Sequence, residues 1–466
     1  MKTKIIIIGA GAAGLAAGSR LLQNGVSDFV ILEAGNRIGG RIWTVPFGTE
    51  KCPIELGAQW CHGEENNVVF ELAFPLGLLE DSIFSHRNIL IFSDGVLAPQ
   101  DLTDKMKQLA EKLISSDETM KSKELLGDYF PRKFKQMVAE TPALAEMDND
   151  LLEAFITFYH NYLKGYLAID SWSEVSASGD ADYEECKGKL RMSWKGRGSS
   201  QILDLLVNST NADADFLNEK IILNKQVTQI KYDQYPVRVE CEDGSILEAN
   251  HVLLTVSLGV LKHTYEEIFD PILPSWKIDA IEGLHFGLVN KAFLEFEQPF
   301  WLELANVFRL VWRRSDLVEL QNLDLGWVEG VSTFFAVDSH PNVLGVWLVG
   351  SHGRHIESLP DEAVKKGLHL LLKRFFRNLN VPEPLNFIRS KWYSDSLVRG
   401  SYSSRSLKTE QLNTSAHDLS LPVADGQGTA RILFAGEATS SNHWSTVHGA
   451  IESGWREADR LIQILK

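Results

Sequence analysis

Apolar and polar positions along this chain follow two different periods. Ile5-Ile6-Ile7-Ile8 is an unbroken apolar run closed by Gly9, the pattern of a strand buried on both faces. Small apolar residues from Gly11 to Leu22 then predict a helix, and Val30-Ile31-Leu32 a second buried strand that ends at Glu33. From Asp101 to Gly165 the spacing becomes helical, as in Leu151, Leu152, Phe155, Phe158, Tyr159 and Leu163. Strand patterns return at Ile221-Ile222-Leu223, Val227 to Tyr232, Val237 to Glu240 and, after the turn Asp243-Gly244, His251 to Val256. Alternating β-rich segments follow at Gly287 to Phe296, Val331 to Val337 and Gly345 to Val349, and Asp361 to Asn378 is helical. The polar stretch from Asn413 to Gly428 reads as a connecting loop, before a strand at Arg431 to Ala435 and a helix beginning near Val447.

The first strand, turn and helix carry Gly9-Ala10-Gly11-Ala12-Ala13-Gly14, and Glu33 closes the following strand. In such a unit the first glycine permits the tight turn and the second admits a pyrophosphate to the backbone amides. The third lets helix and sheet approach closely, and the acidic residue takes the ribose hydroxyls. A carboxylate at Glu33 repels a 2′-phosphate, so NADP is disfavoured. The helix N-terminus adds a positive end for the pyrophosphate. After Glu33, Gly39-Gly40-Arg41 suits a loop folding back over a phosphate. Near the end, Phe434-Ala435-Gly436-Glu437 places a glycine and a carboxylate at a strand end, and Thr446-Val447 opens the last helix. A flavin ring reaching that helix would have its pyrimidine edge faced by the Val447 amide and the positive helix end.

A chain of 466 residues exceeds one ordinary core. The expected class is mixed α/β with a Rossmann-like nucleotide-binding domain, discontinuous in sequence, built from 1-85, 196-280 and 390-466. A second domain of mixed sheet and helices would take 86-195 and 281-389. Nicotinamide dehydrogenases more often keep the dinucleotide unit contiguous, so the layout points to a flavoprotein.

The formal charge of −16 argues against nonspecific nucleic-acid or anionic-membrane binding and favours cationic ligands only as a bias. Met1-Lys2-Thr3-Lys4 followed by apolar residues has the outline of a secretory signal, but cleavage there would delete the glycine turn that Glu33 serves. No apolar run approaches a spanning helix. Cys52, Cys61, Cys186 and Cys241 show no metal-like spacing, so no metal and a reduced compartment are expected.

Taken together, these blocks and several more bear a specific resemblance. The glycine turn with Glu33, Gly39-Gly40-Arg41, Glu55-Leu56-Gly57-Ala58-Gln59-Trp60-Cys61-His62-Gly63, Thr255 to Leu261, Val289-Asn290-Lys291, Arg399-Gly400-Ser401-Tyr402-Ser403, Phe434 to Glu437 and Thr446 to Ala450 occur in one order across the chain. In that order they resemble the FAD-dependent amine oxidases, closest to the animal polyamine oxidases. The resemblance implies that Gly9, Gly11, Ala13, Gly14, Glu33, Arg41, Gly57, Ala58, Gln59, Trp60, Val227, Trp392, Glu437, Thr446 and Val447 hold FAD. Within that set Glu33 takes the adenosine ribose, Arg41 the pyrophosphate region, Val227 the adenine and Glu437 the ribityl-phosphate part. Lys291 matches the lysine that holds a water against the flavin. A lysine inside the apolar strand Leu288 to Leu294 independently favours a functional role, because burial of an unpartnered cation is costly. Tyr402 matches one aromatic wall of the amine cage, its facing position is Thr446, and His62 matches a substrate-positioning histidine. Asp180 aligns loosely with an acid for a distal ammonium. Ser401 stands where covalent relatives have cysteine, so FAD is expected to be noncovalent.

The implied reaction is oxidation of a polyamine carbon–nitrogen bond, with O2 as acceptor and H2O2 as product. The protein is expected to act as a cytoplasmic monomer without nucleic-acid or membrane partners; Leu461 to Lys466 is not a peroxisomal signal. Two alternatives stay open: an oxidase of another amine, or a flavin-binding protein without turnover. An amino-acid oxidase would need an arginine for the substrate carboxylate, and no motif supplies one.

Overall fold

The computed structural model describes residues 2–179, 181–208, 215–321, 325–338 and 340–466, so the Asp180 expectation lies outside the described residues. The nucleotide sheet is parallel at its centre. Ile5 to Ile8 pairs with Phe29–Leu32 on one side and with His251 to Leu254 on the other. Ile31 and Leu32 pair outward with Ile221 and Ile222, and Val252 to Leu254 pair with Ile432 to Phe434. Unbroken apolar runs are required here because helices cover both faces: Ile5, Ile6 and Ile7 are fully buried, with Leu15 and Ile451 against one face and Ile230 and Ile281 against the other. Strands from the start, middle and end of the chain thus share one sheet.

The glycine turn closes as its spacing predicts. Gly9 has φ +108°, a left-handed conformation, and a Cβ on Gly14 would stand 2.0 Å from the Gly9 carbonyl oxygen. The helix Ala12–Gln23 therefore seats directly on the turn, and the terminal helix Val447–Leu465 packs beside it: a Cβ on Gly454 would meet the Ala13 carbonyl at 2.2 Å.

The second sheet has the order Asn386–Arg389, Val289–Glu295, His340–Val349, Thr333–Val337, Val307–Val311, Asn88–Phe92. All neighbours are antiparallel except the last pair. Side chains alternate across it. One face sends Ala292, Leu294, Phe334 and Val346 against the helix Asp361–Phe375. The other carries Phe293 and Phe335 toward Ile54, Phe84 and Trp60. Helices Gln100–Ile114, Leu126–Glu140 and Asn149–Leu167 form a separate layer over Leu90, Phe92 and Val311, with Phe130, Phe134 and Phe155 at its centre.

Two differences from the sequence expectation have tertiary causes. The stretch from Asn413 to Gly428 is not simply a loop. It holds the helix Ala416–Ser420 and the strand Val423–Ala424. The Lys277 ammonium reaches across to donate to the carbonyls of Asp418, Leu419 and Leu421 at 2.8, 2.7 and 2.6 Å, closing that helix end from another segment. The strands Asn88–Phe92 and Val307–Val311 are not among the expected segments; they pair in parallel with each other at one side of the second sheet. Among the described residues no helix is long and apolar enough to cross a membrane.

Candidate active site

One cavity of about 1050 Å³ runs from the glycine turn to the second sheet, lined by Gly9, Gly11 and Glu33 at one end and by Lys291, Tyr402 and Arg309 at the other. That is the upper end of the roughly 300–1,000 Å³ typical of ligand pockets. At the nucleotide end, the Glu33 carboxylate accepts backbone N–H bonds from Ala10 and Gly35, each 2.8 Å, which fixes its position at the strand end. Gly11 faces open space, since a Cβ there would meet nothing within 4 Å. The helix behind it has no side-chain cap and no acid in its first turn. Its free amides and positive end are thus available to a pyrophosphate, and these residues fit the adenosine diphosphate half of FAD. Ala13, Gly57, Ala58, Gln59, Trp60 and Val227 also line the cavity, whereas Gly14 does not: it acts from behind, by permitting the close turn.

Arg41 and Glu437 meet in the middle. Arg41 Nη1 stands 2.7 Å from Glu437 Oε1 and donates to the Ser401 carbonyl at 2.8 Å. Glu437 also accepts from Ser403 Oγ at 2.6 Å and from the Ser445 amide at 2.8 Å. Each holds the other in the cavity wall, a pairing across most of the chain that the separate motifs do not announce.

At the far end, Lys291 Nζ donates to the carbonyls of Gly57 (2.7 Å) and Glu55 (3.2 Å) and to Gln59 Oε1 (2.7 Å). The cost foreseen for a lysine in an apolar strand is met by these three acceptors. Burial lowers the ammonium's pKa, opposed by the nearby Glu55 carboxylate. Burial raises the Glu55 carboxyl in turn, against hydrogen bonds from Ser199 and Thr44. The lysine is held by oxygens alone and sheds its proton more readily than a solvated one.

Around it, the Trp392 indole N–H donates to the Leu56 carbonyl at 3.2 Å and its ring meets Trp43 edge-on at 5.8 Å. The Tyr402 hydroxyl donates to the Gly165 carbonyl at 2.7 Å, and burial raises its pKa, so it stays neutral. Thr446 caps the terminal helix: its Oγ1 accepts from the Gly449 amide and donates to the His443 carbonyl. That hydroxyl is occupied by the cap, and Val447 begins the helix with its N-terminus toward the cavity. His62 Nδ1 is bonded to the Leu190 carbonyl at 3.0 Å. Burial pushes its pKa down to about 4, with Arg191 and Lys291 adding to the effect, so it is neutral at pH 7. Cys61 is buried and its Sγ faces the Gly63 carbonyl, a packing role.

Two features of the cavity surroundings lie outside the sequence expectations. Cys186 does join a cluster: its ligating atom and those of His443 and His448 lie within 4.8 Å of one another, brought together from a loop and the terminal helix region. Cys186 Sγ is 3.7 Å from His448 Nε2, and His443 Nδ1 is 2.8 Å from Glu452. Arginines also line the cavity: Arg309 stands three strands from Lys291 across the second sheet, and Arg191 lies against the same Phe84 ring. For Arg309 a signal existed: Val307-Phe308-Arg309-Leu310-Val311 embeds a cation in an apolar strand, as at Lys291.

Comparison with known proteins agrees with this geometry. The sequence profile described as flavin containing amine oxidoreductase matches residues 12–462. A peroxisomal N(1)-acetyl-spermine/spermidine oxidase of Bos taurus is 32% identical over 498 residues, covering 99% of this chain and 95% of that protein. A probable polyamine oxidase 5 of Arabidopsis thaliana is 30% identical, covering 100% of this chain and 99% of that protein. A solved putrescine oxidase variant superposes with a TM-score of 0.72 at 20% identity, covering 100% and 99% of the two chains, which shows a shared fold. The chain therefore belongs to the flavin-containing amine oxidoreductases, with FAD as its cofactor.

Proposed function

We propose that this enzyme oxidises a carbon–nitrogen bond of a polyamine. In the overall reaction R–CH2–NH–R′ with O2 and water gives the aldehyde R–CHO, the shorter amine R′–NH2 and hydrogen peroxide. The observation that carries the reading is one cavity lined both by an anchored Glu33 and by an oxygen-held Lys291 and Tyr402. The names of the full-length relatives support the substrate class. The bound FAD supplies a two-electron acceptor.

The remaining work falls to this chain's residues. Glu33, the Gly11 amides and Arg41 anchor the cofactor, and Val447 offers a helix N-terminus to it. Tyr402 and Trp60 give an aromatic wall, which orients the amine and favours its neutral, reactive form by desolvation. Lys291 Nζ, ordered by Gly57, Glu55 and Gln59, holds a water and exchanges a proton at that atom near neutral pH. Ser401 Oγ is taken up in bonds to the Val289 amide and carbonyl, and it offers no thiol for covalent attachment. Four free cysteines support the cytoplasm as the proposed compartment.

Anaerobic titration of the purified holoenzyme with spermine tests the reading. The yellow flavin band should bleach, return with O2 and yield one peroxide per amine. Acid precipitation should release the whole flavin into the supernatant. A flavin that no di- or polyamine bleaches would refute the proposal.

A further inference from the structure

The floor of the cavity is a row of side chains across the second sheet. Lys291 pairs with Trp347, the register continues from Phe334–Val346 to set Thr333 against Trp347, and Thr333 pairs with Arg309. Directly opposed residues share a face, so Lys291, Trp347, Thr333 and Arg309 point the same way, and all four line the cavity. At about 4.8 Å per strand the row spans roughly 14 Å. Lysine stands at the flavin end and arginine at the other.

A second arginine flanks this row. The Arg191 guanidinium lies 4.6 Å from the Phe84 ring centre and 5.7 Å from that of Trp60. The Arg309 guanidinium lies 5.6 Å from Phe84 and 5.0 Å from Tyr162. Lys291 Nζ is 5.8 Å from Trp60, so three cationic side chains surround one aromatic group.

Neither arginine is in an ion pair with any described carboxylate. Arg309 donates to Thr333 Oγ1 at 2.9 Å, a neutral acceptor. After the Tyr162 and Tyr166 hydroxyls, the carboxylate that acts on Arg191 is Glu185, which is exposed and hydrogen-bonded by the Tyr166 hydroxyl. Nearby Asp182 is engaged by Arg405. The other carboxylates of the cavity, Glu33, Glu267, Asp395 and Glu437, line it with the glycine turn and Arg41 at the cofactor end. Burial lowers the pKa of both arginines, and the Arg191 charge depresses Arg309 further, so the two lie as desolvated like charges in one cavity.

Two guanidiniums kept in a ligand cavity with no ion-pair partner among the described residues are costly unless the ligand supplies a counter-charge. A polycation meets like charge here. A planar carboxylate suits the guanidinium fork and neutralises both cations. We propose that Arg191 and Arg309 form a carboxylate-reading subsite, and that the preferred substrate is an amine bearing a carboxylate at the end away from Lys291. This rests on the amine-oxidase reading and narrows its substrate class.

The test compares three substrates on the FAD-loaded enzyme that differ at one terminus. They are spermine (ammonium), N1-acetylspermine (neutral amide) and N-(3-aminopropyl)-N′-(2-carboxyethyl)butane-1,4-diamine (carboxylate). Peroxide release should give the carboxylate compound a kcat/KM at least about tenfold above spermine, mainly through KM, as charge-assisted bonding requires. In Arg309→Met and Arg191→Met that ratio should fall at least about tenfold. Arg309→Lys, which retains the charge but not the fork, should fall between. Flavin content and melting temperature identify any variant that misfolds, and Arg309→Lys then carries the comparison. A carboxylate compound no better than spermine, or a ratio unmoved in folded variants, overturns the subsite while leaving the amine oxidase intact. Failure of all three to bleach the flavin overturns the parent reading and the subsite with it.

Discussion

Replacing Lys291 by Met is the sharpest test of the reacting end. Methionine has nearly the length and girth of the lysine stem, so the strand Val289–Glu295 keeps its packing and no void opens. What disappears is an ammonium and its bonds to Gly57, Glu55 and Gln59 at 2.7, 3.2 and 2.7 Å. Bonds from a charged donor contribute about 1.5–3 kcal/mol each, net of the water they replace. The orphaned oxygens border the cavity, where water replaces part of that loss, and removing a desolvated cation returns some of the rest. A net destabilisation of about 2 kcal/mol, a drop of a few degrees in melting temperature, is expected. Flavin should remain bound, because its anchors at Glu33, Gly11 and Arg41 lie elsewhere. The chemistry should suffer more: anaerobic stopped-flow reduction or oxygen reoxidation should slow at least about tenfold, roughly 1.4 kcal/mol of barrier. The wild-type rate should also show a protonation step below the ordinary lysine range, because burial lowers this ammonium, and the Met variant should lack it. Unchanged rates in both half-reactions, with bound flavin, would refute the role.

Three further outcomes follow from the same geometry. Glu33→Ala removes the acceptor of the Ala10 and Gly35 amides and should leave the protein largely colourless after dialysis, with FAD binding weakened at least about tenfold. Tyr402→Phe loses only the bond to the Gly165 carbonyl and should cost about 1 kcal/mol in unfolding experiments with little change in KM; Tyr402→Ala removes the aromatic wall and should raise KM at least about tenfold. His62, pushed down to about 4 from an unfolded value near 6.5, binds a proton only in the unfolded chain between those limits. Its contribution is therefore present above pH 6.5 and lost toward pH 4. His62→Gln should flatten the melting temperature over that window, and an unchanged pH slope would count against the buried neutral imidazole.

Much of this protein was legible in its sequence because the signals are local. Ile5 to Ile8, Gly9, Gly11, Gly14 and Glu33 each answer to a short-range requirement: a strand covered on both faces, a left-handed turn, an open amide, a carboxylate at a strand end. Lys291 was also legible, since a cation in an apolar strand must find acceptors wherever the chain folds. What only the tertiary structure decided were relations between distant segments. The Arg41–Glu437 pair, the helix end closed by Lys277, the Cys186–His443–His448 cluster and the row from Lys291 to Arg309 all join residues that no local period connects. Hydrophobic periodicity reports which face of an element is buried, and a motif reports its own neighbourhood. The strand register that sets Arg309 three steps from Lys291 belongs to neither, and with it the charge that a substrate meets is fixed only when the sheet closes.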